Sequence, residues 1–331
     1  MSELKVAVDV GSGMTKIADG ELRLMVPSVV GAFSENYRGF LANPEVLEVR
    51  ASRLVRNGRY IFGKQAEALI PPDQRAATLS SDWPGSDAWG ALLLAAVTRV
   101  CPDGFVGQVD LATGVPQALY STRRDDIAAR IDGVHEFQLG SARYEIHVRP
   151  QVLPQAAAAI LADDGLARLV GAHGVIDPGT FTTGMAVVCR RSEQEEFAVQ
   201  YWRCGGIEVG VSRMVGILSE EISRRFGGQM EPGILHTALR ERRLSIRGEV
   251  LDISEMVDYA TSTVAAQIVE SVSKLWPNGA MDLDSISIVG GGAALLAHPI
   301  QQAFKQASVA PEAQWSVVNG LHRYLASLQA A

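Results

Sequence analysis

A chain of 331 residues has room for two ordinary domains, and a hydrophobic fraction of 47% supplies material for real cores. The formal net charge of -7 argues against a broad basic surface, so direct sequence-specific nucleic-acid binding is not expected. The start Met1, Ser2, Glu3, Leu4 lacks the charged and apolar regions of a signal peptide, and the apolar run 91–97 is too short to span a bilayer. These features, with three scattered cysteines at Cys101, Cys189 and Cys204, predict a soluble cytoplasmic protein without membrane contact.

The alternating run Lys5, Val6, Ala7, Val8, Asp9 predicts a buried strand that ends on a carboxylate. Gly11 and Gly13 let the backbone turn sharply, Ser12 and Thr15 add hydroxyls, and Lys16 adds a mobile positive charge. Together they make a phosphate cradle, in which Asp9 belongs only if a hard cation such as Mg2+ stands between it and the phosphate. The same residues, running on to Asp19 and Gly20, also fit an ordinary β-hairpin with a solvated lysine. Residues 22–26 then read as a third strand, followed by a loop-rich stretch. Two strands at 45–50 and 59–63 flank Arg56, Asn57 and Gly58, and a short helix at 63–69 stops at Pro71 and Pro72.

Residues 88–100 have the composition of a buried helix, and 106–113 that of a strand broken by Gly114, Val115 and Pro116. An amphipathic helix follows from Thr122 to Ile131, then strands at 135–139 and 143–148. Val152, Leu153 and Pro154 lead from a strand end into the helix opened by Gln155 and its alanines. The pattern now restarts: Val175, Ile176 and Asp177 form a strand ending on a carboxylate, with a glycine and hydroxyl turn through Pro178, Gly179, Thr180, Phe181 and Thr182, and a second strand at 184–189. A repeat at so long a period points to two related halves rather than a solenoid. Residues 197–202 read as a third strand, and Gly205 and Gly206 lead into a helix ending near Phe226. Helices are expected at 234–243 and 252–276, and a strand at 286–289 runs into Gly290, Gly291, Gly292 and Ala293, where bare backbone allows a flat ligand to lie close. A helix at 294–306 and a last one at 321–329 complete the chain.

In this order the motifs resemble those of the actin, heat-shock chaperone and sugar-kinase ATPase superfamily. Asp9 to Lys16 is similar to its first phosphate loop, Asp177 to Thr183 to its second, and Gly290 to Ala293 to its adenosine loop. Gly114-Val115-Pro116, Val152-Leu153-Pro154-Gln155 and Val318-Asn319-Gly320-Leu321 resemble the plasmid-segregation actins of the ParM/StbA type. Pro178 departs from the usual second loop, and Gln155 stands where ParM-like proteins can carry an acid.

The resemblance implies an α/β, duplicated, ribonuclease H-like fold. Domain I would span 1–160, with an insertion at 33–100 and the helix 318–331 packed back on it; domain II would span 161–317. A nucleotide cleft would lie between them. Asp9 and Asp177 would hold Mg2+ through its waters, while Gly11, Ser12, Gly13, Met14, Thr15 and Lys16 and the second-loop residues 178–182 would contact ATP or GTP. Gly205, Gly206 and residues 290–293 would complete the nucleotide site. Gln155 would orient the attacking water, because a neutral amide cannot take a proton from a substrate hydroxyl as a carboxylate could. The function implied is a filament-forming ATPase that assembles with itself and segregates plasmid or phage DNA through an adaptor bound to a centromere-like site. Residues 33–63 and Arg240, Arg242 and Arg243 are the candidate assembly surfaces. A small-molecule kinase or a chaperone-type ATPase of the same superfamily is the alternative.

Overall fold

The computed structural model describes residues 3–37, 44–163, 170–192, 195 and 197–328. The chain divides into two compact units, residues 1–167 with 315–331, and residues 168–314. The first unit contains strands β1 (Glu3–Val10), β2 (Met14–Ala18), β3 (Arg23–Pro27), β4 (Val30–Ala32), β5 (Leu47–Ala51) and β6 (Gly58–Phe62), then helices α1 (Gly63–Leu69) and α2 (Asp87–Val97). It continues through β7 (Val106–Val115), α3 (Tyr120–Ile131), β8 (Gly133–Leu139), β9 (Ala142–Pro154) and α4 (Gln155–Ile160). Among the described residues these strands form one nine-stranded sheet in the order β3-β2-β1-β7-β9-β8-β5-β6-β4.

Helix α2 packs against β1 and β2 and is buried from Trp89 through Val97, which is why its sequence is apolar all round rather than striped. Ser86 fixes its start by accepting a hydrogen bond from the Trp89 amide at 3.2 Å. Gly90 lets the helix close on Leu54 and Val55, whose side-chain carbons would lie 2.7 and 2.8 Å from a Cβ there.

The second unit holds β10 (Gly171–Pro178), β11 (Thr183–Arg190), β12 (Ala198–Val199), β13 (Gly205–Ile207), α5 (Val211–Phe226), α6 (Pro232–Glu241), the hairpin β14 (Arg243–Ile246) and β15 (Glu249–Asp252), and α7 (Ser254–Leu275). It ends with β16 (Ser285–Ile288), α8 (Ala293–Ala303) and β17 (Ala307–Val309), after which the chain returns to the first unit as α9 (Ser316–Ser327). Its main sheet runs β12-β11-β10-β16-β17, with β13 added on β11. In both units the first three strands pair antiparallel and the next two join in parallel beside the first, β1-β7-β9 in one and β10-β16-β17 in the other. The restart of the sequence pattern is thus a repeat of one five-strand topology.

The structure departs from the sequence expectations at several places. Residues 197–202 form only the short β12 and then a 3-10 turn, Tyr201–Arg203. The turn is held because the Arg203 carbonyl accepts the Trp276 indole N–H at 2.9 Å and the buried Arg203 guanidinium pairs with Asp282 at 2.8 and 3.0 Å. Gly205 and Gly206 extend a strand rather than open a helix, which starts at Val211. Gly114 and Val115 continue β7 instead of breaking it, and Pro116 ends it. Strands β4, β14, β15 and β17 have no counterpart in the sequence reading; they are three or four residues long, too short for alternation to show. Residues 38–43 of the excursion at 33–63, and Gln329 of the expected last helix, lie outside the described residues.

Candidate functional site

In the first unit the register of β1 against β2 pairs Asp9 with Lys16 and Val10 with Thr15 across the turn that begins at Gly11. Directly opposed residues of an antiparallel pair share one face, so the hairpin itself brings carboxylate and ammonium together. Lys16 Nζ donates to Asp9 Oδ2 at 3.2 Å, and Gln155 Nε2 donates to Asp9 Oδ1 at 2.7 Å. Asp9 is 2% exposed and Lys16 8%, while Gln155 is half-buried. Each carboxylate oxygen keeps acceptor capacity beyond the bond it makes here. Gln155 reaches Asp9 with its N–H2 end, which leaves the amide oxygen as the acceptor available to a water.

The turn is tied down behind this cluster. Ser28 N donates to the Gly13 carbonyl at 3.0 Å, and the hydroxyls of Thr15 and Ser28 are 2.9 Å apart. Thr15 is fully buried with its hydroxyl against that of Ser28, while Gly11, Ser12, Gly13 and Met14 stay half-buried. Gln117, which sequence reasoning missed, accepts the Ala157 amide at 3.3 Å and so holds the first turn of α4, whose opening residue is Gln155. Only a position shortly after Gly114-Val115-Pro116 hinted at it. Helix α9 lies against the same helix: a Cβ on Gly320 would stand 1.9 Å from the Ala158 carbonyl oxygen, so only glycine permits this approach. That accounts for Gly320 in the motif Val318 to Leu321.

The second unit builds its corresponding loop from backbone. Asp177 is the penultimate residue of β10 and is half-buried. Gly179 N donates to the Thr182 carbonyl at 2.8 Å, closing the turn that holds Thr180 and Phe181. The start of α5 docks on it, with Val211 N to the Gly179 carbonyl at 3.1 Å and Ser212 N to that of Thr180 at 2.8 Å. Pro178 ends its strand, where a missing N–H costs nothing in the ladder. Its carbonyl accepts Gly292 N at 2.8 Å and so joins the second loop to the triple-glycine turn. Gly290 has φ +80°, and a Cβ there would meet Asp177 Oδ1 at 2.1 Å; a Cβ on Gly292 would meet the Pro178 carbonyl oxygen at 2.6 Å. Gly291 has open space around it and is exposed, whereas Ala293 is buried at the start of α8. Of the three glycines, two are required by loop-to-loop packing and Gly291 is left exposed. Gly205 and Gly206 are half-buried residues of β13, which pairs with β11, and Gly205 lies close to Leu275.

Among the described residues no three Asp, Glu, His or Cys side chains cluster as metal ligands. The donor set suits a cation that keeps most of its waters and leans on single carboxylates, which is the habit of Mg2+.

Two family models match this chain in succession: the N-terminal domain of actin-like proteins over residues 7–157, and the C-terminal domain of the MreB-like archaeal actin homologue over 175–302. This is an actin-like protein. Solved structures agree at the level of fold. A ParM in a 15-stranded filament from Clostridium botulinum superposes with TM-score 0.81 at 17% identity, covering 99% of this chain and 100% of that one. A non-polymerisable quadruple mutant of pCBH ParM gives 0.81 at 17% identity over 98% and 100%. An archaeal actin homologue in complex with ADP gives 0.77 at 17% identity over 98% and 99%. Among curated proteins no sequence matches. The actin-like protein therefore has the mixed α/β, two-domain actin-like fold and resembles the ParM type. Among its described residues no helix is long and apolar enough to cross a membrane.

Proposed function

We propose that this actin-like protein is a cytoplasmic Mg2+-dependent ATPase, or GTPase, that assembles with copies of itself into filaments and moves plasmid or phage DNA through an adaptor. The observation that carries the reading is the cluster of Asp9, Lys16 and Gln155, with the amide of Gln155 held by Asp9 at 2.7 Å. Phosphoryl transfer to water asks little covalent chemistry of a protein; it asks for positioning and for charge to offset the phosphate oxygens. Bound Mg2+ would neutralise phosphate charge, held through its waters by a strand-end carboxylate such as Asp9. Lys16 supplies a fixed positive charge, Ser12 and Gly13 supply donors at the turn, and Gln155 accepts a hydrogen bond from the attacking water. An amide in that place favours hydrolysis over transfer to a substrate hydroxyl, which needs a base.

The proposed self-assembly draws support from the structural neighbours, one of which is a ParM filament. Heterologous contacts, one face of a subunit on a different face of the next, give an open polymer when the rotation does not close. Purified protein should scatter light and become pelletable on addition of Mg-ATP above a critical concentration, and the signal should decay as nucleotide is consumed. Protein that stays monomeric with ATP and with a non-hydrolysable analogue, at low salt and under crowding, contradicts the filament reading.

A further inference from the structure

Strand β7 lies between β1, which carries Asp9, and β9, which leads directly into Gln155. Neighbouring strands stand about 4.8 Å apart, so a side chain that joins the two outer strands must pass over the middle one. The register shows where it passes. Val8 pairs with Thr113, and Thr113 and Gly114 pair with Val152 and Leu153, so Asp9, one residue beyond Val8, stands level with Gly114. Gln155, two residues beyond Leu153, extends back across that level to donate to Asp9 Oδ1 at 2.7 Å. A Cβ on Gly114 would lie 2.7 Å from Gln155 Cγ, whereas its next neighbours, Leu321 Cδ1 and Val317 Cγ1, would both be at an ordinary 3.6 Å. The space left by the missing side chain is thus filled by Gln155 and crowded by nothing else. Gly114 has no need of glycine for its backbone, since its φ is not among the positive ones.

We propose that Gly114 is a positioning residue: its bare α-carbon is the slot through which Gln155 crosses β7, and the slot sets where the amide presents its oxygen to water. The inference rests on the hydrolytic reading above. It gives the glycine of Gly114-Val115-Pro116 a role in turnover rather than in breaking a strand.

The test is a double-mutant cycle of Gly114→Ala with Gln155→Ala, reading steady-state hydrolysis and the Kd for a fluorescent ATP analogue. In the wild-type background Gly114→Ala should lower kcat by about 10- to 100-fold, the scale of a displacement below 1 Å, with Kd within about twofold. In the Gln155→Ala background, where no Cγ remains, the same substitution should change neither kcat nor Kd. A Gly114→Ala enzyme of wild-type kcat, or an equal loss in both backgrounds, overturns the proposal. Should Gly114→Ala alone fail to fold, the double variant decides. Melting as Gln155→Ala does supports the slot, and failure of the double variant to fold overturns it. Wild-type protein that hydrolyses nothing is a separate outcome: it removes the ATPase reading, and this inference with it, before any variant is compared.

Discussion

The two loops that follow Asp9 and Asp177 in this actin-like protein are built by opposite means. The first, in the unit of residues 1–167, is held mostly by side chains: Asp9 joins Lys16 and Gln155, and Thr15 joins Ser28, with one main-chain bond from Ser28 N to the Gly13 carbonyl. The second, in the unit of residues 168–314, is held by main-chain bonds of Gly179, Val211, Ser212 and Gly292, with glycines wherever two backbones come too close for a Cβ. One loop fails when a charge is removed, the other when an atom is added.

The largest effect expected from that contrast is at Asp9. Asp9→Ala leaves the Lys16 ammonium, whose side chain is 11% exposed, buried without its counter-charge, and should cost about 3–5 kcal/mol in urea denaturation besides abolishing hydrolysis. Adding Lys16→Met should return much of that stability but none of the activity. A single variant as stable as wild type would show that the pair is solvated rather than buried.

Gly290→Ala is the converse test. It places a Cβ 2.1 Å from Asp177 Oδ1 at a φ of +80°, so overpacking of about 1–3 kcal/mol and left-handed strain of about 1–2 kcal/mol both apply. Gly291→Ala, with open space around it, should stay within about 0.5 kcal/mol of wild type, and on the proposed nucleotide role of this turn it should still weaken nucleotide binding. Equal thermal shifts for the two variants would erase the distinction.

Thr15→Ala should cost about 1–2 kcal/mol, because the buried Ser28 hydroxyl loses its partner. Thermal melting of that variant beside Thr15→Ala with Ser28→Ala should show the double variant no worse than the single one.

The smallest effect is a pH dependence. Burial pushes the His135 imidazole below its ordinary value, opposed in part by its bond to the Ile131 carbonyl. The unfolded chain therefore binds a proton first. Stability is unaffected by this group above about pH 6.5 and falls as the pH drops below that value toward the folded pKa. His135→Gln should flatten that part of the stability profile.

What could be read in the sequence follows the same division. The alternating β1, the turn after it and the repeat of both at Asp177 are short-range patterns, and the fold class and the two related halves follow from them, whereas the parallel pairing that brings in β16 and β17 is long-range. Asp9, Lys16 and Gln155 announce themselves by chemical type, although only the register shows that two of them are direct cross-strand neighbours. The hydroxyl of Thr15 is legible as part of a glycine turn, but its bond to Ser28, the residue just past the end of β3, is not. Gln117, Gly114 and Gly320 act through partners 40 to 162 residues away, at Ala157, Gln155 and Ala158, and no local pattern reports that. Residues 197–206 misled because the bonds that shape the 3-10 turn come from Trp276 and Asp282.

The most direct test is Gln155→Ala, measured for both affinity for a fluorescent ATP analogue and single-turnover hydrolysis of ATP. Loss of a water-orienting amide should slow turnover by about 10²-fold, leave the affinity within about twofold, and prolong any ATP-induced polymer. Turnover equal to wild type, or a loss of affinity as large as the loss of rate, would contradict the role assigned to the cluster of Asp9, Lys16 and Gln155.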